Sequence, residues 1–391
     1  MRLISLNEIE PNMVLGKSIY SFNNKLLLGA GFRLSSEFKT KLVERGYNHI
    51  YIMEEGTEDV IPEDIISDEV KYHAKSRISD EAEEVHSLLK IKDISHKKVY
   101  DLLRNGYLKN VNITYEMKKV VNEIFADITS MGVTTLNTAL FKSKDSYQMD
   151  HALNTSVLSI LIGKKYGFSK EELLSLGLGA FLHDFGKIVL EKIRSANPNS
   201  KTADELLNEH PTFGYLVVHN SKSASPIVSQ IINQHHECQD GSGFPIGRKG
   251  ENIPPTRSVQ RKLKGGIFRL AEIVSVANAY DNLVMNPLTD KALSPSEAIK
   301  QLILNAGTMY NKHIVNTLTT IIPFYPVGTL VRIKNIADQS LIGYRGVVAK
   351  INKDMLNKPF VILIYNKSMK RIKPKLLDTA KLKNVDLELV L

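Results

Sequence analysis

Five histidines and one aspartate between positions 151 and 236 constrain this chain more than any other feature. They are His151, the dipeptide His183-Asp184, His210 and the adjacent pair His235-His236, and all lie in or beside stretches with helical periodicity. Neutral imidazole is the commonest metal ligand, and a carboxylate can bridge two cations. On a helix, residues three or four apart share a face. His183 and Lys187 therefore point the same way, while Asp184 lies about 100° round from His183. A lone histidine such as His151 is usually a satisfied core or surface residue, and His219 is assigned no role. The whole set in one helical region points to a pocket holding two metal ions. Such a pair lowers the pKa of a bridging water and stabilises the charge that develops in in-line attack at phosphorus.

The rest of the chain bounds this reading. A length of 391 residues suits two or three domains, and 43% hydrophobic residues suffice for a sizeable core. Cys238 is the only cysteine, so no intrachain disulfide can form and a reducing cytoplasm is expected. Met1 to Asn7 lacks the regions of a signal peptide, and no uninterrupted apolar run approaches the roughly 18 residues needed to span a bilayer. A soluble chain with no membrane span is expected. The net charge of +9 is concentrated after Tyr325, where 13 Lys and Arg face 5 Asp and Glu. Such a module can attract anionic partners. No aromatic-basic interleaving accompanies it, so a solvated lysine-rich β surface is expected and nucleic acid is not expected as a partner.

Residues 1–60 read as a small α/β unit. Strands are expected over Met13–Tyr20 and Lys25–Leu34 about a Phe22-Asn23-Asn24 turn, then a helix capped by Ser35 or Ser36 and ending near Gly46, then a strand over Asn48–Met53. The acidic stretch from Glu54 to Asp68, with Pro62, reads as a linker. Residues 68–124 form a helical connector; Met117, Val120, Val121, Ile124 and Phe125 recur at three- and four-residue spacing. Residues 125–325 continue the helical pattern, broken at 195–202 and at 238–257, where Gly and Pro suggest a loop over the site. After Pro326, short β-branched runs at 328–333, 346–351 and 360–365 predict a small basic β domain, barrel-like, over 326–391.

At this point the chain resembles a known family. Tyr147-Gln148-Met149-Asp150-His151, His183-Asp184-Phe185-Gly186-Lys187, His210 and the run His235-His236-Glu237-Cys238-Gln239-Asp240-Gly241-Ser242-Gly243-Phe244-Pro245 are similar to the motifs of HD-GYP domains. These are the bacterial branch of the HD phosphohydrolase superfamily that hydrolyses cyclic di-GMP. The similarity covers roughly residues 125–325, and the N-terminal unit resembles a small domain that often precedes HD-GYP domains in Gram-positive bacteria. The resemblance implies a mainly α fold, with an all-helical HD-type central domain, a small N-terminal α/β domain and a small C-terminal β domain.

It also implies roles. His151, His183 and Asp184 would bind a first metal; Asp184 would bridge to a second, completed by His210, His235 and His236. Lys187 and Asp184 would be catalytic, Lys187 by contacting a phosphate oxygen. Gly243, Phe244 and Pro245 would meet substrate together with Lys187. Two divalent transition-metal ions are expected, with Fe, Mn, Ni and Zn all suited to the donor set. The ligand would be cyclic di-GMP or a related cyclic dinucleotide, cut to linear pGpG or GMP. A homodimer is one option for assembly.

Four positions depart from the family's pattern. Asn278 stands where an aspartate normally ligates the first metal; Asp281, three residues on, shares that face and is expected to compensate or to touch substrate. The segment Met285–Asp290 lacks the family's phosphate-binding arginine. Phe244 replaces the tyrosine of the name-giving tripeptide. Tyr147 occupies the place of a glutamate that serves a third metal in some members, so at most two metals are expected. A catalytically impaired receptor or interaction module is the competing expectation.

Overall fold

The computed structural model describes residues 1–20, 25–45, 47, 49–89, 95–130, 147–196, 206–222, 225–259, 261–284 and 293–390. The Phe22-Asn23-Asn24 turn and the segment 285–290 lie outside them.

At the N-terminus, β1 (Arg2–Ser5) pairs antiparallel with β4 (His49–Ile52), and β2 (Ile19–Tyr20) pairs with β3 (Leu26–Leu28). The strands expected over Met13–Tyr20 and Lys25–Leu34 are much shorter than predicted. Single bridges, Val14 to Arg33 and Leu15 to Ile52, replace continuous ladders. At Gly16 the backbone of Ile52 comes so close that a Cβ would lie about 3.1 Å from it, a tight contact for any side chain. Strand β1 was not foreseen. Helix α1 (Ser36–Glu44) starts as expected, with the Ser35 hydroxyl accepting from Phe38 N.

The helical body follows: α2 (Asp68–Leu88), α3 (His96–Arg104), α4 (Ile113–Ser130), α5 (Tyr147–Lys165), α6 (Lys170–Phe181), α7 (Gly186–Ala196), α8 (His210–His219), α9 (Pro226–Gln234), α10 (Arg269–Val284), α11 (Pro295–Leu304) and α12 (Lys312–Leu318). One continuous apolar core joins them; Ile124, Leu158, Leu176, Ile231 and Val276 are fully or almost fully buried in it. Helix α6 opens with a capping box between Ser169 and Glu172, and α11 with one between Ser294 and Glu297. Lys170–Ala196 is long and apolar enough by composition to cross a membrane, and 72% of its most apolar window is buried within the fold. The irregular segment after α9 runs to Phe268, beyond the 238–257 expected, because α10 begins only at Arg269.

The C-terminal strands β5 (Leu330–Asn335), β6 (Arg345–Lys350), β7 (Phe360–Tyr365), β8 (Arg371–Asp378) and β9 (Asp386–Leu389) form one antiparallel sheet in the order β8-β7-β6-β5-β9. The sheet has two edges, β8 and β9, so it is open rather than barrel-like. Strands β8 and β9 carry too few apolar residues to have been recognised. Both faces are covered: Val331, Val348 and Leu363 pack on one, Leu330, Val347 and Ile364 on the other. Val60 joins the second face. The stretch expected to be a linker is therefore packed, and Glu54 within it holds Arg2 and Arg371 at 2.8 Å each.

Candidate metal centre

Three helix ends deliver the histidines in the same way. The Nδ1–H of His183 donates to Ala180 O, that of His210 to Leu207 O and that of His235 to Ile232 O, at 2.7, 2.6 and 2.7 Å. Each carbonyl lies three residues back, and a carbonyl only accepts. The proton of each neutral ring therefore sits on Nδ1, and Nε2 carries a bare lone pair. His151 reaches the same state differently: its Nδ1 lies 2.6 Å from Asp281 Oδ2.

The bare nitrogens converge. His151 Nε2 and His183 Nε2 are 3.2 Å apart, and His210 Nε2 and His235 Nε2 are 3.1 Å apart. Lone pairs facing at that distance repel unless a cation lies among them. Asp184 stands between the two pairs: Oδ1 is 3.1 Å from His210 Nε2, and Oδ2 is 3.4 Å from His183 Nε2 and 3.7 Å from His151 Nε2. Oδ1 is buried and makes no hydrogen bond of proper geometry. Donor atoms of Asp184, His210, His235 and His236 lie within 4.8 Å of one another, as do those of His151, His183 and Asp184. The donor set, the facing lone pairs and the orphaned carboxylate oxygen fit two cations sharing Asp184.

Electrostatics agree with that donor state. Burial pushes the His183 imidazole down to about 4. Burial, then the neighbouring imidazoles, push His235 and His236 well below the ordinary range. For Asp184 burial acts to raise the pKa, but His183, Lys187 and His210 outweigh it and hold the carboxyl well below the usual range. Neutral imidazoles around a carboxylate are the ligand form metals require. Lys187 Nζ sits 2.5 Å from Asp184 Oδ2 and borders a cavity of about 140 Å³ between the start of α5 and α7.

Residues 135–314 match the HD domain model. The chain is 24% identical over 270 residues to the cyclic di-GMP phosphodiesterase PA4108 of Pseudomonas aeruginosa, covering 68% of this chain and 60% of that one. It is 27% identical over 235 residues to a cyclic di-GMP phosphodiesterase of Thermotoga maritima, covering 58% and 60%. It is 30% identical over 161 residues to the cyclic di-GMP phosphodiesterase response regulator RpfG of Xanthomonas campestris, covering 40% and 39%. The chain thus carries an HD domain and is similar to cyclic di-GMP phosphodiesterases of three bacteria. It spans about 60% of the length of the first two relatives.

The positions that depart from the HD-GYP pattern have definite surroundings. Asn278 is buried, and its Oδ1 accepts from Asn282 Nδ2 at 2.7 Å, while Asn282 Oδ1 accepts from the Tyr147 hydroxyl at 2.8 Å. The Tyr147 ring stacks on His151, with centroids 5.8 Å apart. Asp281 was expected to compensate for Asn278 or to touch substrate. It lies behind His151 instead, its Oδ1 accepting from Asn154 Nδ2 at 3.0 Å and its Oδ2 facing His151 Nδ1. That geometry would orient the His151 imidazole, and the Asp281 side chain is only 4% exposed. Phe244 stacks on His236 with centroids 4.5 Å apart, and a Cβ on Gly243 would sit 2.3 Å from His236 O. The tripeptide thus braces the histidine pair.

Sequence reasoning passed over Glu237, Asn154 and Asn282. Glu237 is buried and accepts from the backbone N–H of Ile246 and Arg248 at 2.9 and 2.6 Å, tying the long loop to the residue after His236. A carboxylate next to two candidate ligands and ahead of a Gly-rich turn was the available signal. Asn282 lies one turn after Asn278, and that spacing was the only hint. With no arginine in Met285–Asp290, cations of the long loop could take its place, but Arg257 pairs with Glu172 and Arg261 with Glu272, at 2.9 and 2.6 Å. Both are committed elsewhere.

Proposed function

We propose that the chain is a metal-dependent phosphodiesterase that hydrolyses cyclic di-GMP to linear pGpG, or through a second cut to GMP, in second-messenger signalling. The observation that carries this reading is the set of four bare imidazole nitrogens paired on either side of one carboxylate. His151, His183 and Asp184 would hold one divalent ion, and Asp184, His210, His235 and His236 the other. When bound, such a pair supplies Lewis acidity to a phosphoryl oxygen and to an attacking water.

The chain's own residues do the rest. Asp281 and the three carbonyl acceptors keep the four ring protons on Nδ1. Lys187 neutralises Asp184 and presents a fixed positive charge toward the neighbouring cavity, where it would hold a phosphate oxygen. Phe244 fixes the plane of His236. The N-terminal and C-terminal units would regulate or scaffold the catalytic one, and a cytoplasmic setting belongs to the same reading. The direct test is turnover of cyclic di-GMP by the full chain after loading with Mn²⁺ or anaerobic Fe²⁺. Formation of pGpG that stops on chelation supports the proposal, and no product at micromolar enzyme defeats it.

One observation favours a second reading, a receptor that binds a cyclic dinucleotide without turnover. Asn278 brings no charge, and its oxygen already accepts from Asn282. The first site would then bind its ion more weakly than the second. Asn278→Asp separates the readings: higher metal content together with new activity favours an impaired parent. If neither changes, Asn278 is not the cause of any defect.

A further inference from the structure

Away from the histidines, a cavity of about 380 Å³ opens between α9, the long loop and the first turn of α10. Arg248, Lys249, Arg261 and Arg269 line it, against one carboxylate, that of Glu251. Glu251 already accepts from the backbone N–H groups of Lys262 and Leu263. Arg261 pairs with Glu272, and Arg269 shares Glu172 with Arg257. Arg248 and Lys249 form no ion pair among the described residues.

The cations are also held in place. Arg248 Nη1 donates to Gly265 O at 2.5 Å, Arg261 Nη1 to Ile267 O at 3.1 Å and Arg269 Nη1 to Pro255 O at 2.9 Å. These bonds explain how the loop is clipped down. They do not explain the surplus charge, nor Lys249, which has an electrostatic interaction with Asp240 but no ion pair among the described residues. A third source of positive potential converges here, because the 16-residue helix α10 begins in the cavity wall. A helix N-terminus beside fixed cations favours a phosphate group. The ring of Phe268, half-buried in the same wall, offers an apolar face.

We propose that this cavity is a second ligand site, separate from the histidine cluster, for an organic phosphate the size of a mononucleotide. Its phosphate groups lie against Arg248, Lys249 and the start of α10, and its base lies against Phe268. The inference does not rest on the proposed hydrolytic activity. It has a structural route to that centre all the same. Phe268 N donates to Gln234 Oε1 and Arg248 N to Glu237 Oε2, so the cavity is strapped to both flanks of His235-His236.

The test is calorimetric titration of the full chain at low ionic strength, treated with chelator so that metal plays no part. The probes are inorganic triphosphate and ATP. The wild type should bind both, ATP more tightly, and Arg248→Ala combined with Lys249→Gln should weaken both at least tenfold. Asp184→Ala should bind like the wild type. Should the double variant not fold, Lys249→Gln alone is read, with a several-fold loss expected. The proposal is overturned by absence of binding, by affinity that ignores these variants, or by loss of binding in Asp184→Ala. ATP binding no tighter than triphosphate overturns the nucleotide assignment.

Discussion

Replacing Gly186 with alanine sets two physical effects against each other. Gly186 opens α7 two residues after Asp184, and it packs on the first turn of α8, which carries His210. A Cβ built there would lie 2.0 Å from His210 O and 2.5 Å from Gly214 N. Ordinary contact needs about 3.5 Å, so the two backbones must part by roughly 1–1.5 Å. Helix propensity alone would make alanine stabilising by about 1 kcal/mol. Overpacking costs about 1–3 kcal/mol, and the upper end applies because the obstruction is backbone rather than a flexible side chain. The net expectation is a loss of about 2 kcal/mol. The second effect is local. His210 Nε2 now sits 3.1 Å from Asp184 Oδ1, and metal sites tolerate only about ±0.2 Å in ligand distance. A displacement near 1 Å should cost about 100-fold in turnover and a large part of the bound metal. Urea unfolding of the chelated protein reads the first effect and elemental analysis after loading reads the second. A Gly186→Ala protein as stable and as metal-rich as the parent would refute the packing argument.

Three further outcomes are expected. Asp281→Asn removes the carboxylate that fixes the His151 proton, and metal affinity should fall about 10- to 100-fold in competition with a fluorescent chelator; an unchanged affinity would remove Asp281 from the site. Burial, then Glu84, Glu116 and Asp80, raise the Glu81 carboxyl from 4.5 to about 7. The folded chain therefore keeps a proton that the unfolded chain releases, so stability should fall as pH rises from about 4.5 to 7 and level off above. Glu81→Gln should gain about 1–2 kcal/mol over the parent at pH 8 and little at pH 4.5, a value discounted for the solvent-exposed neighbours; equal gaps at both pH values would count against it. Gly243→Ala, whose Cβ would meet His236 O at 2.3 Å and Cys238 N at 2.4 Å, should lower metal content with less loss of global stability than Gly186→Ala, because it lies in a loop rather than between helices.

The helical body was legible because its apolar residues recur with the period of a helix, as in Met117, Val120, Val121 and Ile124. The ligand candidates were legible because imidazole beside carboxylate is rare in a core without a cation. What stayed hidden was partnership. Asp281 and Asn278 share a helix face, but only the fold puts one behind His151 and ties the other to Asn282. Strands β8 and β9 have polar sequences, Arg-Ile-Lys-Pro-Lys-Leu-Leu-Asp and Asp-Leu-Glu-Leu, and are strands because β7 and β5 present open edges to them. Likewise nothing local distinguishes Val60 from a linker residue; its burial comes from a sheet face formed some 270 residues later, at Leu330.

The central claim is that Asp184 is shared between two cations. Elemental analysis of the full chain, loaded with Mn²⁺ or anaerobic Fe²⁺ and desalted, tests it most directly when the parent is set beside Asp184→Ala and His236→Ala. The account predicts up to two ions per chain in the parent, partial loss in His236→Ala and loss from both positions in Asp184→Ala. Metal retained in full by Asp184→Ala, or a parent that takes up no transition ion under any loading condition, would contradict it.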